Sequence, residues 1–126
     1  MIAILGTGKM GEALLSGLLR AGFKPGDVLA TVRRPERGEA LAETYGVRIV
    51  SNVEAAKSAE TLILAVKPQD MGALLAEIAP HLPAGRLVIT AAAGITTSFV
   101  EQRLGVETPV VRVMSNTPIR FDEAMS

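Results

Sequence analysis

The sequence opens with three glycines in the spacing G-x-G-x-x-G, set between two segments of different character. Residues 2–5 form a short apolar run, typical of a buried strand, and Gly6, Gly8 and Gly11 follow it. In the residues that follow, apolar side chains recur at helical spacing, and Gly22 marks the expected end of this helix. The segment therefore predicts a strand, a tight turn and a helix.

The alternation of short apolar runs with amphipathic segments continues along the chain. Further strands are expected at residues 28–32, 47–50, 61–66, 87–90 and 110–114, and helices at Pro35, at an Asn52 N-cap, after Pro68 and at a Ser98–Glu101 capping box. Each connection between parallel strands must cross back over a face of the sheet. We therefore predict an α/β fold, a doubly wound, Rossmann-like, mostly parallel sheet of about six strands in the order 3-2-1-4-5-6 with helices on both faces.

The composition excludes several classes of function. The 126 residues are 48% apolar and 21% charged, which suits one globular domain, and no apolar run is long enough to span a bilayer. Thirteen basic and thirteen acidic residues cancel, without a basic block or aromatic platform, so we expect no nucleic-acid partner and no membrane. The absence of cysteine and of a signal-peptide pattern predicts a cytoplasmic protein.

The ionisable residues show no metal-ligand or triad pattern. The carboxylates are scattered without metal-ligand spacing, so no metal site is predicted. No nucleophile, base and orienting group form a set, so no catalytic residue is assigned. His81 stands between Pro80 and Pro83, beyond a helix, and is interpreted as a solvated residue.

In a doubly wound sheet the ligand crevice opens at the carboxyl ends of the first and fourth strands. At the first, Gly6 allows a tight turn, Gly8 lets the backbone approach a pyrophosphate, and Gly11 lets the helix pack closely on the sheet. The helix N-terminus presents free N–H groups to the phosphates. The predicted phosphate loop consists of Gly6, Thr7, Gly8, Lys9, Met10 and Gly11. Plain turn glycines remain the alternative, if the loop packs against something else.

The end of the second strand bears on the choice of dinucleotide. An NAD site usually has an acidic residue there that accepts a hydrogen bond from the ribose 2′-hydroxyl. The stretch "TVRRPER" instead places Arg33 and Arg34 at this point, and the nearest acid is Glu36. Because guanidinium groups match phosphate geometry, the sequence favours NADP and leaves NAD open. An exposed arginine pair is also common on a solvated surface.

Three further strand ends fall on the same edge of the predicted sheet. In "LILAVKPQD" Lys67 precedes Pro68 and is therefore held extended, which leaves a rim for a cofactor. The stretch "TAAAGI", residues 90–95, has small side chains that permit close approach to a flat ring. The stretch "VMSNTP", residues 113–118, supplies hydrogen-bonding side chains. Together these ends predict one continuous ligand edge.

Four stretches, "ILGTGKMGEALLSGLL", "LAVKPQDM", "ITAAAGI" and "VVRVMSNTP", resemble the N-terminal dinucleotide-binding domain of pyrroline-5-carboxylate reductase. The resemblance covers essentially the whole chain. It implies reduction of a cyclic imine acid, 1-pyrroline-5-carboxylate, to L-proline by hydride from NADPH, or less readily NADH. Beyond the glycine loop it implies cofactor contacts by Arg33, Arg34, Asn52, Ala65, Val66, Lys67, Pro68, Ala92, Ala93 and Gly94, with Asn116 and Thr117 in the loop that closes over the nicotinamide.

The resemblance also implies a domain plan. Residues 1–118 form the NADP-binding domain, and residues 119–126 begin the connection to a C-terminal helical domain. That domain forms the homodimer or higher homo-oligomer and supplies most of the substrate pocket, so the 126 residues alone are expected to be inactive. Two alternatives remain: a related NADP-dependent reductase for another small substrate, and a non-catalytic nucleotide-binding or interaction module.

Overall fold

The computed structural model describes residues 1–83, 85–90, 97–104 and 110–112, without the side chains of Lys9, Met10, Thr97, Ser98 and Arg112. The strands are β1 (Ile2–Leu5), β2 (Val28–Ala30), β3 (Arg48–Ile49), β4 (Thr61–Leu64), β5 (Leu87–Thr90) and β6 (Val110–Arg112). The helices are α1 (Lys9–Arg20), α2 (Pro35–Tyr45), α3 (Asn52–Ser58), α4 (Pro68–Ile78) and α5 (Thr97–Leu104). Short 3₁₀ turns lie at Pro25–Asp27 and Ala79–His81.

The strands form one parallel sheet in the order β3-β2-β1-β4-β5-β6. This order confirms the predicted doubly wound α/β fold. The register pairs Ile2 of β1 with Val28 on one side and with Thr61 on the other. The direction of winding therefore reverses between β1 and β4, whose carboxyl ends lie side by side at one edge of the sheet.

Two buried clusters, one on each face of the sheet, form the core. The first packs α3, α4 and α5 on the sheet and includes Leu5, Ala55, Leu62, Leu64, Met71, Leu75, Ile78 and Val100. The second packs α1 and α2 on the opposite face and includes Ile4, Leu14, Leu15, Leu18, Val28, Leu41 and Ile63. Neighbouring residues Ile4 and Leu5 belong to different clusters because strand side chains alternate between faces. Helices therefore cover both faces, as predicted.

Two helices have the ends that their sequence signals predict. In α2, Pro35 takes the first helical position, where its missing N–H costs no hydrogen bond, and Gly46 ends the helix with φ 75°. In α4, Pro68 takes the same position. The apolar stripe predicted for α4 is buried, and it consists of Met71, Leu74, Leu75 and Ile78.

Several strands end earlier than the sequence pattern predicts. β2 ends at Ala30 rather than at residue 32, and β4 ends at Leu64 rather than at residue 66. Both neighbour β1, which ends at Leu5 before the glycine turn. Beyond the paired residues, only Thr31 and Ala65 of the described chain donate a further backbone hydrogen bond to β1, to the carbonyls of Ile4 and Leu5. β3 is reduced to Arg48–Ile49 beside the shortened β2. Residues 113–114, predicted to continue β6, lie outside the described residues.

Two predicted helix caps are wrong. Ser51, not Asn52, caps α3, because the Ser51 hydroxyl accepts a hydrogen bond from the Glu54 N–H at 3.1 Å. Helix α5 begins at Thr97, so Ser98 lies inside its first turn rather than before it. Within the residues described above, no helix has both the length and the apolar character needed to cross a lipid bilayer.

Candidate dinucleotide-binding site

The loop after β1 places its three glycines in three different environments. Gly6 has φ 79°, and a Cβ atom at this position would overlap the side chain of Val66. Gly8 has φ −94° and is exposed, with no atom within 4 Å of where its Cβ would lie. A Cβ atom at the buried Gly11 would lie 3.2 Å from Cγ2 of Thr7. A tight turn, an open backbone and close helix packing are the features that a dinucleotide phosphate loop requires.

Thr31, the residue after β2, fixes the course of this loop. Its hydroxyl accepts a hydrogen bond from the Gly6 N–H at 3.0 Å, and its carbonyl accepts one from the Thr7 N–H at 2.8 Å. Its own N–H donates to the carbonyl of Ile4 at 3.0 Å. Thr31 is only 2% exposed. The loop is therefore tied to the sheet from its buried side, while Gly8 stays exposed.

The N-terminus of α1 opens onto the same edge. Gly8 is the N-cap residue and has no side chain to bond the N–H groups of the first turn. The Thr7 hydroxyl points inward and donates to the carbonyl of Ile4 at 3.1 Å. The first-turn N–H groups and the positive end of the helix dipole therefore suit an anion at this position.

Arg33 and Arg34 follow β2 and are both exposed. Arg33 Nη1 lies 3.4 Å from Oδ2 of Asp70, in the first turn of α4, and the Arg33 side chain is 80% exposed. Arg34 precedes α2 with extended backbone. Because β2 and β4 flank β1 in the sheet, the Arg33–Asp70 ion pair connects the two sides of the crevice at the end of β1.

The connection from β4 to α4 forms the other side of this crevice. Ala65 extends the ladder to β1 by one hydrogen bond of 2.9 Å from its N–H. Val66 is half-buried beside Gly6, whereas Lys67 and Pro68 are exposed. Lys67 has the extended backbone expected before proline, with φ −65° and ψ 151°. Through Val66, this connection borders the glycine loop.

The remaining predicted site residues are elsewhere or undescribed. Asn52 begins α3, and its side-chain amide donates at 2.8 Å to Glu77 in the last turn of α4, not to the glycine loop. The predicted nicotinamide residues lie outside the described residues; they are Ala92, Ala93, Gly94, Asn116 and Thr117. In the loop itself, the structure does not describe the side chains of Lys9 and Met10.

A polar cluster beneath the loop was not found by sequence reasoning. Arg37 of α2 donates through Nη2 to Oε1 of Glu12 at 2.6 Å, and the Tyr45 hydroxyl donates to Oε2 of Glu12 at 2.7 Å. The bond from Tyr45 lowers the pKa of Glu12, assisted by Arg37, and the same bond raises the pKa of Tyr45. No spacing rule connects these residues, because the contacts join two different helices.

Other ionisable side chains do not add a second site. In the part of the chain that the structure describes, no group of three or more His, Asp or Glu residues could hold a metal ion. His81 is exposed at the end of its 3₁₀ turn, as predicted for a solvated residue.

The fold and the glycine loop define a nucleotide-binding oxidoreductase domain, and residues 1–94 match the family described as NADP oxidoreductase, coenzyme F420-dependent. The chain belongs to this family of NAD(P)-dependent oxidoreductases. Within the family it is similar to the N-terminal domain of pyrroline-5-carboxylate reductases, in agreement with the motif resemblance.

Two relatives show the extent of this similarity. The chain is 42% identical over 121 residues to the pyrroline-5-carboxylate reductase of Mycobacterium tuberculosis, covering 91% of this chain and 41% of the relative. It is 37% identical over 126 residues to the enzyme of that name from Pseudomonas aeruginosa, covering 99% of this chain and 46% of the relative. The chain thus spans less than half the length of these relatives.

Solved structures agree with the fold. A pyrroline-5-carboxylate reductase from Coxiella burnetii superposes with a TM-score of 0.87 at 33% identity, covering 93% of this chain and 44% of that chain. A pyrroline carboxylate reductase from Plasmodium falciparum, solved with NADP bound, gives a TM-score of 0.78 at 22% identity, covering 98% of this chain and 51% of that one. The second likeness concerns the fold alone.

Proposed function

We propose that this chain is the NADP-binding domain of a pyrroline-5-carboxylate reductase. The whole protein would reduce 1-pyrroline-5-carboxylate to L-proline, the last step of proline biosynthesis. The observation that carries the proposal is the glycine loop at the reversal of winding, with Gly6 in a tight turn, Gly8 open and Gly11 packed. The similarity to relatives that bear this enzyme name supports the choice of substrate.

The residues present fit a dinucleotide along the carboxyl edge of the sheet. We assign the pyrophosphate to residues 6–11, the adenosine end to Arg33 and Arg34 with Asn52 near the adenine ribose, and the nicotinamide ribose to residues 65–68. For the nicotinamide ring we propose Ala92, Ala93, Gly94, Asn116 and Thr117. In the domain plan we propose, residues 1–118 form this domain, and 119–126 lead toward a helical domain of the longer protein.

When bound, the dinucleotide supplies the hydride, so the reaction needs neither a protein nucleophile nor a metal. This domain would then bind the dinucleotide, orient its reacting ring and exclude water from around that ring. The substrate is a small cyclic imine acid. We propose that the helical domain completes its pocket and forms the homodimer or higher homo-oligomer.

Arg33 and Arg34 support NADP over NAD. A 2′-phosphate carries more charge than the Asp70 carboxylate that Arg33 contacts, and an exposed ion pair of this kind contributes little, about 0–1 kcal/mol. Arg33 can therefore exchange Asp70 for a phosphate at small cost. The exposed Arg34 offers a second guanidinium at the same strand end.

The test is a titration of the chain with NADPH and with NADH, followed by nucleotide fluorescence. We expect Arg33→Gln and Arg34→Gln each to weaken NADPH binding about tenfold, since a charge-assisted hydrogen bond is lost, and to leave NADH nearly unchanged. Arg48→Gln on β3 is the control, because Arg48 is exposed and makes no side-chain hydrogen bond within the described residues. Equal losses for both nucleotides would contradict the 2′-phosphate assignment.

The substrate is tested on this sequence joined to the C-terminal remainder of a reductase that it resembles, since the chain spans less than half of those relatives. Incubation with 1-pyrroline-5-carboxylate and NADPH should consume NADPH and produce proline. Turnover of a different small imine instead would favour a related reductase. Nucleotide binding without any turnover would favour a non-catalytic module.

A further inference from the structure

Arg37 connects the glycine loop to two helices. From α2 its Nε donates to the carbonyl of Thr7 at 3.4 Å, and its Nη2 donates to the carbonyl of Gly8 at 3.1 Å. The same Nη2 donates to Glu12 of α1 at 2.6 Å. The Arg37 side chain is 35% exposed: its bonds to Thr7 and Glu12 are partly buried, whereas its bond to Gly8 is exposed.

We infer that Arg37 is a positioning residue for the phosphate loop, acting on the shape of the loop and not by contact with the nucleotide. The inference rests on the proposed function. Within a planar trans peptide the carbonyl and the N–H point in opposite directions. Holding the Gly8 carbonyl toward Arg37 therefore turns the N–H of Lys9, at the start of α1, to the other side.

The Gly8 carbonyl is held from two directions. Besides Arg37, it accepts the N–H of Glu12 at 2.8 Å, which is the first bond of α1. The Gly8 N–H itself donates to the Gly6 carbonyl at 2.8 Å. Gly8 has no side chain that could hold its backbone in place, so Arg37 supplies this restraint.

The groups around Arg37 explain why it acts on the shape of the loop and not by contact with the nucleotide. Glu12 offsets the charge of the guanidinium, and both Glu12 oxygens are engaged, one by Arg37 and one by the Tyr45 hydroxyl at 2.7 Å. The carboxylate is thus fixed and fixes Arg37 in turn. Arg33 and Arg34, at the end of β2, are not fixed by Glu12 in this way. Loss of Arg37 should therefore affect NADPH and NADH alike, unlike loss of Arg33 or Arg34.

The experiment measures the affinities of Arg37→Gln and Arg37→Lys for NADPH, NADH and 2′-AMP, which lacks the pyrophosphate, with Arg48→Gln as the matched arginine control. Circular dichroism and urea unfolding report whether each variant is folded. We expect Arg37→Gln to weaken both dinucleotides by the same factor, about tenfold, and to leave 2′-AMP nearly unchanged. Arg37→Lys, with a single donor group, should restore only part of the loss.

Unchanged dinucleotide affinity in folded Arg37→Gln would overturn the inference. A loss confined to NADPH and 2′-AMP would also overturn it, since it would indicate direct contact with the 2′-phosphate. If Arg37→Gln does not fold, Tyr45→Phe provides the test: releasing one Glu12 oxygen should weaken both dinucleotides equally by about two- to threefold, and no loss would overturn the inference. Failure of the unsubstituted chain to bind either dinucleotide would overturn the proposed function itself, and this inference with it.

Discussion

Gly6 lies so close to Val66 that a methyl group on its Cα would overlap the valine side chain. The contact joins the turn after β1 to the connection after β4, where the winding of the sheet reverses. The backbone of Gly6 is also left-handed, with φ 79°. Two independent physical reasons thus require glycine at this position, and both concern the fold before any ligand is bound.

Gly6→Ala should therefore lower the free energy of unfolding by about 2–4 kcal/mol, combining a left-handed non-glycine residue with an overpacked contact. Urea unfolding monitored by circular dichroism measures it. Gly26→Ala is the control, because a Cβ atom there would meet nothing within 4 Å and its φ is not positive. A loss below about 1 kcal/mol for Gly6→Ala would mean that the loop relaxes around the methyl group.

Asp70→Asn should tighten NADPH binding about two- to fivefold and leave NADH unchanged. The substitution removes a negative charge 3.4 Å from Arg33 and frees that guanidinium for the 2′-phosphate. Because the ion pair is exposed, the free energy of unfolding should change by less than about 1 kcal/mol. Fluorescence titrations with both nucleotides check this, and an equal gain for NADH would refute the assignment of Arg33 to the 2′-phosphate.

The pKa of Glu12 should rise toward its ordinary value of 4.5 in Tyr45→Phe, because the hydrogen bond from Tyr45 is the largest cause of its lowering. NMR titration of the Glu12 carboxyl measures the change. A folded-state pKa below the unfolded one stabilises the protein above the unfolded pKa, and this stability is lost as the pH falls through the folded pKa. The difference in free energy of unfolding between the unsubstituted chain and Tyr45→Phe should therefore shrink from about pH 5 to pH 3. A constant difference would argue against the coupling.

Ser51→Ala should lower the free energy of unfolding by about 1 kcal/mol, as expected for loss of an N-cap hydroxyl. Asn52→Ala removes only an exposed hydrogen bond to Glu77 and should cost less. Thermal unfolding of the two variants decides the order. The reverse order would restore Asn52 as the cap, as the sequence pattern had predicted.

The sheet order and most helix bounds follow from local signals in the sequence. Apolar runs of strand length identify the buried strands. Pro35 and Gly46 mark the two ends of α2, and Gly6 and Gly8 mark the tight turn after β1, because each of these residue types favours a particular local backbone geometry. Strand ends are less predictable, since the length of β2 and β4 depends on where their neighbour β1 stops pairing. A serine and an asparagine in adjacent positions are both good caps, so the choice between Ser51 and Asn52 is settled by helix geometry.

The site could be predicted only where one residue type carries the chemistry. The glycines are visible because their spacing to a strand is fixed, and the role of the arginine pair at residues 33–34, read from the same kind of spacing, stays a prediction. The bond between Thr31 and Gly6 depends on how β2 lies beside β1, and the contact of Arg37 with Glu12 depends on how α2 lies against α1. Separations of 25 residues or more carry no periodic signal. Asp70 is likewise brought to Arg33 only by the strand order.

Calorimetric titration of the unsubstituted chain and of Gly8→Ala with NADPH and NADH shows whether the glycine loop is a phosphate site. A Cβ atom at Gly8 meets no protein atom, so the variant should unfold within about 0.5 kcal/mol of the unsubstituted chain. We expect saturable binding to the unsubstituted chain, tighter for NADPH. In Gly8→Ala we expect a loss of at least about tenfold for both nucleotides, because the methyl group occupies the space of the pyrophosphate. Unchanged affinity in Gly8→Ala, or no binding by the folded unsubstituted chain, would contradict a phosphate site in this loop.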